Sequence, residues 1–553
     1  MLLWITLATA IPLLTVYLFE RTRYFRLKQY ASFPQLPPSL IWGHMKTLDT
    51  VMGEGDRRRH IDQVFLEIHH KLTNAPLFIV DLRPVLYSIC VICSHEIAEQ
   101  ISRASKTFPY SLPKGDVLDN FTPLIGRRSI ISAQGSDWKA LRKRFNPGFA
   151  PQHLVSLLPG IMDRVQLFVD ILDGHAASER VVKLDELCIN LTFDIIGTVT
   201  MDEDLRAQCG PGSQSEIVTV FRQLVALYRT SGSASWDQFK LGTKAQRWRL
   251  SRRLDSLLQQ RVREKYHEWR ESKTRTAAAR SRSVLALSFE GIDQDGEELS
   301  GDFLSQTCDQ LKTFLFAGHD TTNSLLQWAF YELSRTPHAL AAARRELDDV
   351  LGVDASPDAI CALLRSPRAE ALLSRMVYLA AIVKETLRLH PPAGTGRFVP
   401  QGTGFNVTLP DGQTLCLDGM ILHNCETIIQ RDENVYGPSK DAFVPERWLE
   451  NITSKEPGDN AGSIPASAWR PFERGPRNCI GQELANIEAR VVLACTMRRF
   501  GFVKVGLGAD ARDSAGQRVI DEFGQYVVEE ELFNIMEVTG KPVDGMQVRV
   551  AFA

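Results

Sequence analysis

An excess of either charge is missing: 64 lysines and arginines stand against 66 aspartates and glutamates, a formal −2 over 553 residues. No basic stripe with interleaved aromatics appears, which argues against a nucleic-acid partner. The chain also lacks a Pro/Gly/Ser-rich divider and any internal repeat. Its length would permit roughly two to four domains, yet nothing marks a boundary. Cysteine is sparse, ten scattered residues in a chain too long to be a disulfide-stapled module. Cys90 and Cys93 alone have C-x-x-C spacing, in the apolar, β-rich run VLYSICVICS. Strand alternation would send them to opposite faces, so core packing is the expectation rather than a metal or redox site. With 44% hydrophobic and 24% charged residues, what remains is a globular protein with a large core.

Charge is also absent from Leu2 to Phe19, a run about long enough to span a bilayer as a helix. Arg21, Arg23, Arg26 and Lys28 follow, which places the downstream chain on the cytoplasmic side. A cleaved secretory signal carries its basic residues before the apolar run, so a retained single-pass anchor is the better reading. The segment FPQLPP from Phe33 to Pro38 then stiffens the path to the body.

In the body, short strands are expected near Pro76–Ser94 and Phe398–Cys416, with a turn at Pro410-Asp411-Gly412. Helical periodicity dominates elsewhere, over Val155–Asp173, Lys183–Val199, Ala245–Glu271, Asp302–Ser334, Leu340–Val350, Arg375–Leu389 and Gln482–Arg499. Glu271 to Ser283 is polar and reads as a loop. Asn-x-Thr sequons begin at Asn120, Asn190, Asn406 and Asn451, and are taken as chance matches in a cytoplasmic body. The fold class is mainly α with small β-sheets.

Three constellations carry chemistry. In FERGPRNCIG, Phe472 to Gly481, a lone cysteine stands just before a helical run. There, amide N–H groups and the helix dipole stabilise a thiolate. Gly475 and Gly481 remove side chains where the backbone turns tightly or approaches something flat, and Arg477 adds a permanent cation. One cysteine cannot build a zinc or iron–sulfur site, but it can be the single axial ligand of a haem; a buried structural cysteine is the alternative. Glu385 and Arg388, spaced i, i+3 in VKETLRLHPP, share a helix face, which by itself means no more than a surface ion pair. PERW, Pro445 to Trp448, offers Arg447. Finally AGHDTT, Ala317 to Thr322, puts a glycine, an acid and an alcohol inside an apolar helix. Glycine there costs about 1 kcal/mol against alanine, and Thr321 can bond back to the Ala317 carbonyl. A functional defect in the helix is one reading; a single polar turn on a surface is the other.

Together these motifs resemble the cytochrome P-450 superfamily of haem-thiolate monooxygenases. The cysteine loop, the E-x-x-R helix, the P-E-R-W loop and the A-G-x-D-T-T helix occur in the family's order, and Trp138 to Arg142 adds its W-x-x-x-R helix. The resemblance runs from about residue 33 to the end of the chain. It implies an anchor over 1–20, a basic and proline-rich linker over 21–45, and a single catalytic domain over 46–553. It implies haem b, with Cys479 as proximal ligand of the iron and Phe472, Gly475, Gly481 and Gly318 beside the cofactor. Trp138, Arg142, Arg397 and Arg477 would bind the propionates. Glu385, Arg388 and Arg447 would form the network that holds the cysteine loop, and Asp320 and Thr321 would relay protons to the oxygen being activated. Gln430 departs from the pattern, standing where many members have histidine before Arg431.

The implied activity inserts one oxygen atom of O₂ into an apolar small molecule. No dinucleotide fingerprint is present. NADPH electrons are therefore expected from a separate NADPH-cytochrome P-450 reductase at the endoplasmic reticulum membrane, with cytochrome b5 as a second donor. Two rivals keep the haem: an isomerase or dehydratase needing no reductase, and a membrane-bound carrier or sensor. The Asp320-Thr321 pair argues against both, since neither needs a proton relay. Pocket-lining stretches are expected around Tyr110–Ile131, Phe221–Phe239, Thr313–Ala317 and Ala393–Phe398, and they name no molecule. The run from Gly135 (G-x-x-W-x-x-x-R-K-x-F-x-P-x-F) is similar to members from filamentous fungi, which suggests a polyketide or terpenoid of secondary metabolism.

Overall fold

The computed structural model describes residues 2–229, 241–272, 282–290, 299–449 and 464–553. Most of the expected loop at Glu271–Ser283, the second half of the Phe221–Phe239 stretch and the sequon at Asn451 lie outside them. Helices make up most of the body. Those that position the site are α1 (Leu2–Arg23), α2 (Ile61–Lys71), α3 (Gly135–Phe145), α4 (Leu184–Met201), α5 (Gly301–Arg335), α6 (Val377–Leu389) and α7 (Gln482–Thr496). The strands that matter are β1 (Leu77–Asp81), β2 (Ser88–Ile92), β3 (Thr395–Phe398), β4 (Ile421–Asn424), β5 (Asn534–Met536) and β6 (Gly540–Pro542).

The 35-residue α5 is the axis of the molecule. Ser300 caps its N-terminus by accepting from the Phe303 N–H, and every residue from Thr322 to Leu333 is buried. A helix buried on all sides over this stretch, its polar residues included, belongs in the middle of a core. It packs against α4, α6 and α7. The pattern expected as one helix over Arg375–Leu389 is two: Ala369–Arg375 ends, Met376 leaves helical geometry, and α6 begins at Val377. Likewise α7 stops at Thr496, and Phe500–Lys504 is a strand.

A four-stranded sheet runs in the order β1-β2-β4-β3, with β2 and β4 parallel and the other pairs antiparallel. Its last pairing sets Arg397 opposite Leu422 and therefore decides where Arg397 points. Strands Asn406–Thr408 and Thr414–Cys416 form the expected hairpin around Pro410-Asp411-Gly412, Gly412 taking the positive φ of 86° that the turn requires. Near the C-terminus, the β5–β6 hairpin docks on α5: the Ser324 hydroxyl donates to the Gly540 carbonyl at 2.8 Å.

The stretch expected as a linker, 21–45, is attached to this sheet. Tyr30 and Phe33 are buried against it, and Arg26 forms an enclosed ion pair of 2.7 Å with Asp81. Arg26 is thus part of the body and not a free basic flank. Upstream, the uncharged run lies on α1, whose side chains are described from residue 10 onward; there Ile11, Leu13, Leu14, Val16, Leu18 and Phe19 are all more than half exposed. Among the described residues no helix is long and apolar enough to cross a membrane.

Candidate active site

Cys479 stands two positions before Gly481, the N-cap of α7. Its own N–H donates to the Phe472 carbonyl at 2.8 Å, which closes the loop and presents the sulfur to the helix end. Burial pushes the Cys479 thiol up, while N–H groups of Gly481 and Gln482 and the Arg142 cation pull it down. Cys479 as a residue nevertheless remains exposed, so packed side chains do not cover it completely. Gly475 has φ of 77°, and a side chain there would start 2.2 Å from the Ser102 carbonyl. Its positive φ is the tight turn expected as one of the two uses of this glycine, and its bareness seats the loop on the helix His95–Ser102.

Cations converge on the same site. Arg142 on α3 donates to the Asn478 carbonyl (2.7 Å) and side chain (3.0 Å), tying α3 to the loop. Arg477 lies 5.2 Å from the centre of the Trp138 ring and donates to Gln134 and to the carbonyls of Ile130 and Ile131. Burial first, then the repulsion of Arg397 and Arg142, lowers its pKa to about 9. Lys114, which no motif singled out, donates to the Thr395 hydroxyl and is held well below its usual value by burial and by Arg397 and Arg477. Arg397 is only 1% exposed, yet none of its three guanidinium nitrogens has a hydrogen-bond partner. A buried, unpaired guanidinium is among the most costly arrangements a protein can hold. Its repulsion of Lys114 and Arg477 compounds the cost. Such a set fits a ligand bearing carboxylates at this edge of the site.

Beneath the loop lies a buried ion network. Glu385 and Arg388, both 0% exposed in their side chains, pair bidentately at 2.7 and 2.9 Å. Arg447 adds a bond of 3.0 Å to the same carboxylate, Trp448 donates its indole N–H at 2.8 Å, and the Val444 N–H donates at 3.0 Å. The remaining Arg388 donors reach the carbonyls of Gln430, Lys440 and Ala442. Gln430, the departure from the family pattern, donates to the Leu387 and Arg388 carbonyls and accepts from the Arg470 N–H. An amide does here what needs a donor and an acceptor on one side chain.

In the middle of α5 the turn Phe316–Gly318 and Thr321 are the partly accessible positions in an otherwise buried stretch. The Thr321 hydroxyl donates to the Ala317 carbonyl at 2.8 Å, as its spacing implied. Gly318, expected beside the cofactor, is bare for a packing reason: a side chain there would meet Ile196 of α4 at 2.6 Å, so this glycine lets two helices touch. Asp320 also differs from expectation. It is 1% exposed and turned to the β5–β6 hairpin, with Lys541 Nζ at 2.8 Å from one oxygen and the Thr539 hydroxyl donating to the other at 2.6 Å. Burial alone would raise its pKa, but Lys541, His319 and Thr539 outweigh it and hold the carboxyl at about 2. At neutral pH this group is a paired carboxylate, not a poised acid.

Residues 34–510 match the family model described as Cytochrome P450. The chain belongs to the cytochrome P450 family. Cytochrome P450 monooxygenase acrF of Aspergillus aculeatus is 31% identical over 497 residues, 86% of this chain and 94% of that protein. Cytochrome P450 monooxygenase polC of Polytolypa hystricis is 30% identical over 98% of this chain and 94% of its own length. The crystal structure of the cytochrome P450DA heme domain superposes with a TM-score of 0.69 over 94% of this chain and 97% of that one, at 18% identity, a likeness of fold alone. P450 membership makes the chain an oxidoreductase of the monooxygenase type, with haem as the family's cofactor and with O₂, a substrate and a redox partner as its co-reactants. The lone cysteine at a helix end and the unpaired Arg397 among cations fit that group, a thiolate for the iron and guanidinium forks for propionates.

Arg397→Leu tests the fit. The apoprotein should lose nothing, because a buried unpaired cation is removed. The loaded enzyme should shed haem faster by roughly tenfold to a hundredfold, the value of one bond to a charged group. Unchanged haem loss would show that the guanidinium serves the fold alone.

Proposed function

We propose that this P450 inserts one oxygen atom of O₂ into an apolar small molecule of fungal secondary metabolism, with electrons from NADPH through a separate reductase. The observation that carries the reading is an exposed cysteine at a helix N-terminus, in a site whose cations include an unpaired buried arginine. Cys479 would hold the haem iron through its thiolate, Arg397, Arg477 and Lys114 would receive the propionates, and Trp138 and Arg142 would hold this edge of the site together. The haem supplies the activation of dioxygen. The substrate class is inferred from the fungal relatives, both named monooxygenases. The exposed apolar residues of α1 support an anchor over 1–20 in the endoplasmic reticulum membrane, with the body, 46–553, on the cytoplasmic side. Cytochrome b5 is a second electron donor of the same kind.

What this chain does is move one proton at a defined atom. Thr321 Oγ1 has a single hydrogen, now given to Ala317; turned into the site, it donates to the oxygen being activated. Asp320 sits beside it as a carboxylate paired with Lys541 and takes no direct donor role. The pair also contributes to stability: a carboxyl lowered from 3.8 to about 2 stabilises the fold above about pH 4 and loses that contribution as pH falls through about 2.

In a reductase-reconstituted assay, Thr321→Ala should keep consuming NADPH while product per NADPH falls roughly tenfold or more and hydrogen peroxide rises. In Lys541→Met the acid-unfolding midpoint should move up in pH, because Asp320 loses the cation that lowers its pKa. Unchanged coupling in Thr321→Ala would remove the hydroxyl from the mechanism.

A further inference from the structure

Among the described residues, one set of metal-ligating side chains joins α2 to the end of β4. Strand alternation puts His423 and Cys425, two residues apart, on one face of the chain leaving β4. At the start of α2, His60 is the N-cap and accepts from the Asp62 N–H at 3.2 Å, which turns both side chains toward that face. As a result one ligand atom each of Asp62, His423 and Cys425 lies within 4.8 Å of the other two. His423 Nε2 is 2.8 Å from Asp62 Oδ1, and His60 Nδ1 is 3.8 Å from the other oxygen, Oδ2. Asp62 and Cys425 are 3% and 0% exposed, while the His423 side chain remains 20% exposed and leaves a path from solvent.

We propose that Asp62, His423 and Cys425 bind a divalent zinc ion, with the fourth position left to solvent. A carboxylate, an imidazole and a thiolate are the donor mixture of zinc, at about 2.0 to 2.3 Å from the metal. Tetrahedral donors at those lengths stand roughly 3.3 to 3.6 Å apart, so seating the ion opens the Asp62–His423 contact by about half an ångström. A second observation points the same way. Histidine ligands usually turn their other nitrogen toward a carboxylate. Glu426, 1% exposed, has an oxygen, Oε2, with no hydrogen-bond partner. That oxygen and the Cε1 and Nδ1 edge of His423 converge above Gly394, at 3.0, 2.8 and 3.7 Å from where a side chain there would begin. The ion would clamp α2 onto the strand that pairs with β3, and β3 carries Arg397.

The test uses full-length holoenzyme from zinc-supplemented culture, dialysed and analysed for zinc and haem by mass spectrometry. About one zinc per chain is expected in the wild type. In His423→Asn and Cys425→Ser, zinc should fall to trace while haem content stays level. A strong chelator should lower the melting temperature of the wild type and leave both variants where they were. Should the variants fold poorly, calorimetric titration of chelator-stripped wild-type holoenzyme with zinc chloride decides alone: a single tight site supports the proposal, and its absence overturns it. Zinc missing from the wild type, or retained by both variants, leaves Asp62 and His423 as a hydrogen-bonded pair only. Haem content and the carbon monoxide spectrum report on the haem site separately, so failure of the zinc site leaves the monooxygenase reading in place.

Discussion

Cys479→Ser should abolish the red-shifted Soret band that reduced, carbon monoxide-bound enzyme owes to a thiolate ligand, and with it all monooxygenation. The effect is total because no other described cysteine can take over. Cys90, Cys93, Cys188, Cys308, Cys361, Cys425 and Cys495 are buried, with burial the main cause that pushes each thiol up. Cys209 and Cys416 are exposed, but Cys209 ends a short 3₁₀ turn and Cys416 lies in the Thr414–Cys416 strand, neither at a helix N-terminus. Only Cys479 combines accessibility, two helix-end N–H groups and a nearby arginine, the features that make a thiolate affordable in an apolar setting. Cys90→Ser and Cys93→Ser should keep the spectrum. A thiolate band surviving in Cys479→Ser would sink the central assignment.

Glu385→Ala or Arg388→Ala should yield little haem-loaded protein. Each partner is completely buried, so deleting one strands the other's charge at about 3–5 kcal/mol, a large part of the 5–15 kcal/mol that holds a typical domain folded. The damage spreads, because Arg388 alone ties α6 to the carbonyls of Gln430, Lys440 and Ala442. Arg388→Lys should fail nearly as badly, since an ammonium cannot reproduce a bidentate fork plus three carbonyl contacts. The measurement is holoprotein yield and melting temperature. A well-folded, haem-replete Arg388→Ala would show that the network is dispensable.

The features that were readable from the chain are those whose causes are local. Periodicity marked α5, the turn chemistry of Pro410-Asp411-Gly412 marked its hairpin, and spacing i, i+3 put Glu385 and Arg388 on one face. Whether that face was solvent or core was not local: the bland surface pair became a buried network only because Arg447 and Trp448, some sixty residues on, close over it. The packing reason for two glycines was hidden in the same way. Gly318 and Gly475 are bare because Ile196 and Ser102 press on them, and no spacing announces a neighbour more than a hundred residues away. Asp320 read as half of a proton relay within its helix, and its partners Lys541 and Thr539 came only with the docked C-terminal hairpin. Lys114 carries no motif at all, and Arg397 rested on its place after the E-x-x-R helix; the register of β3 on β4 is what brings Arg397 to the site unpaired. Family and reaction type were written in short motifs of neighbouring residues. The charge states, the packing and the direction in which each side chain points came from contacts between distant segments, because electrostatics and close packing depend on distance in space and not along the chain.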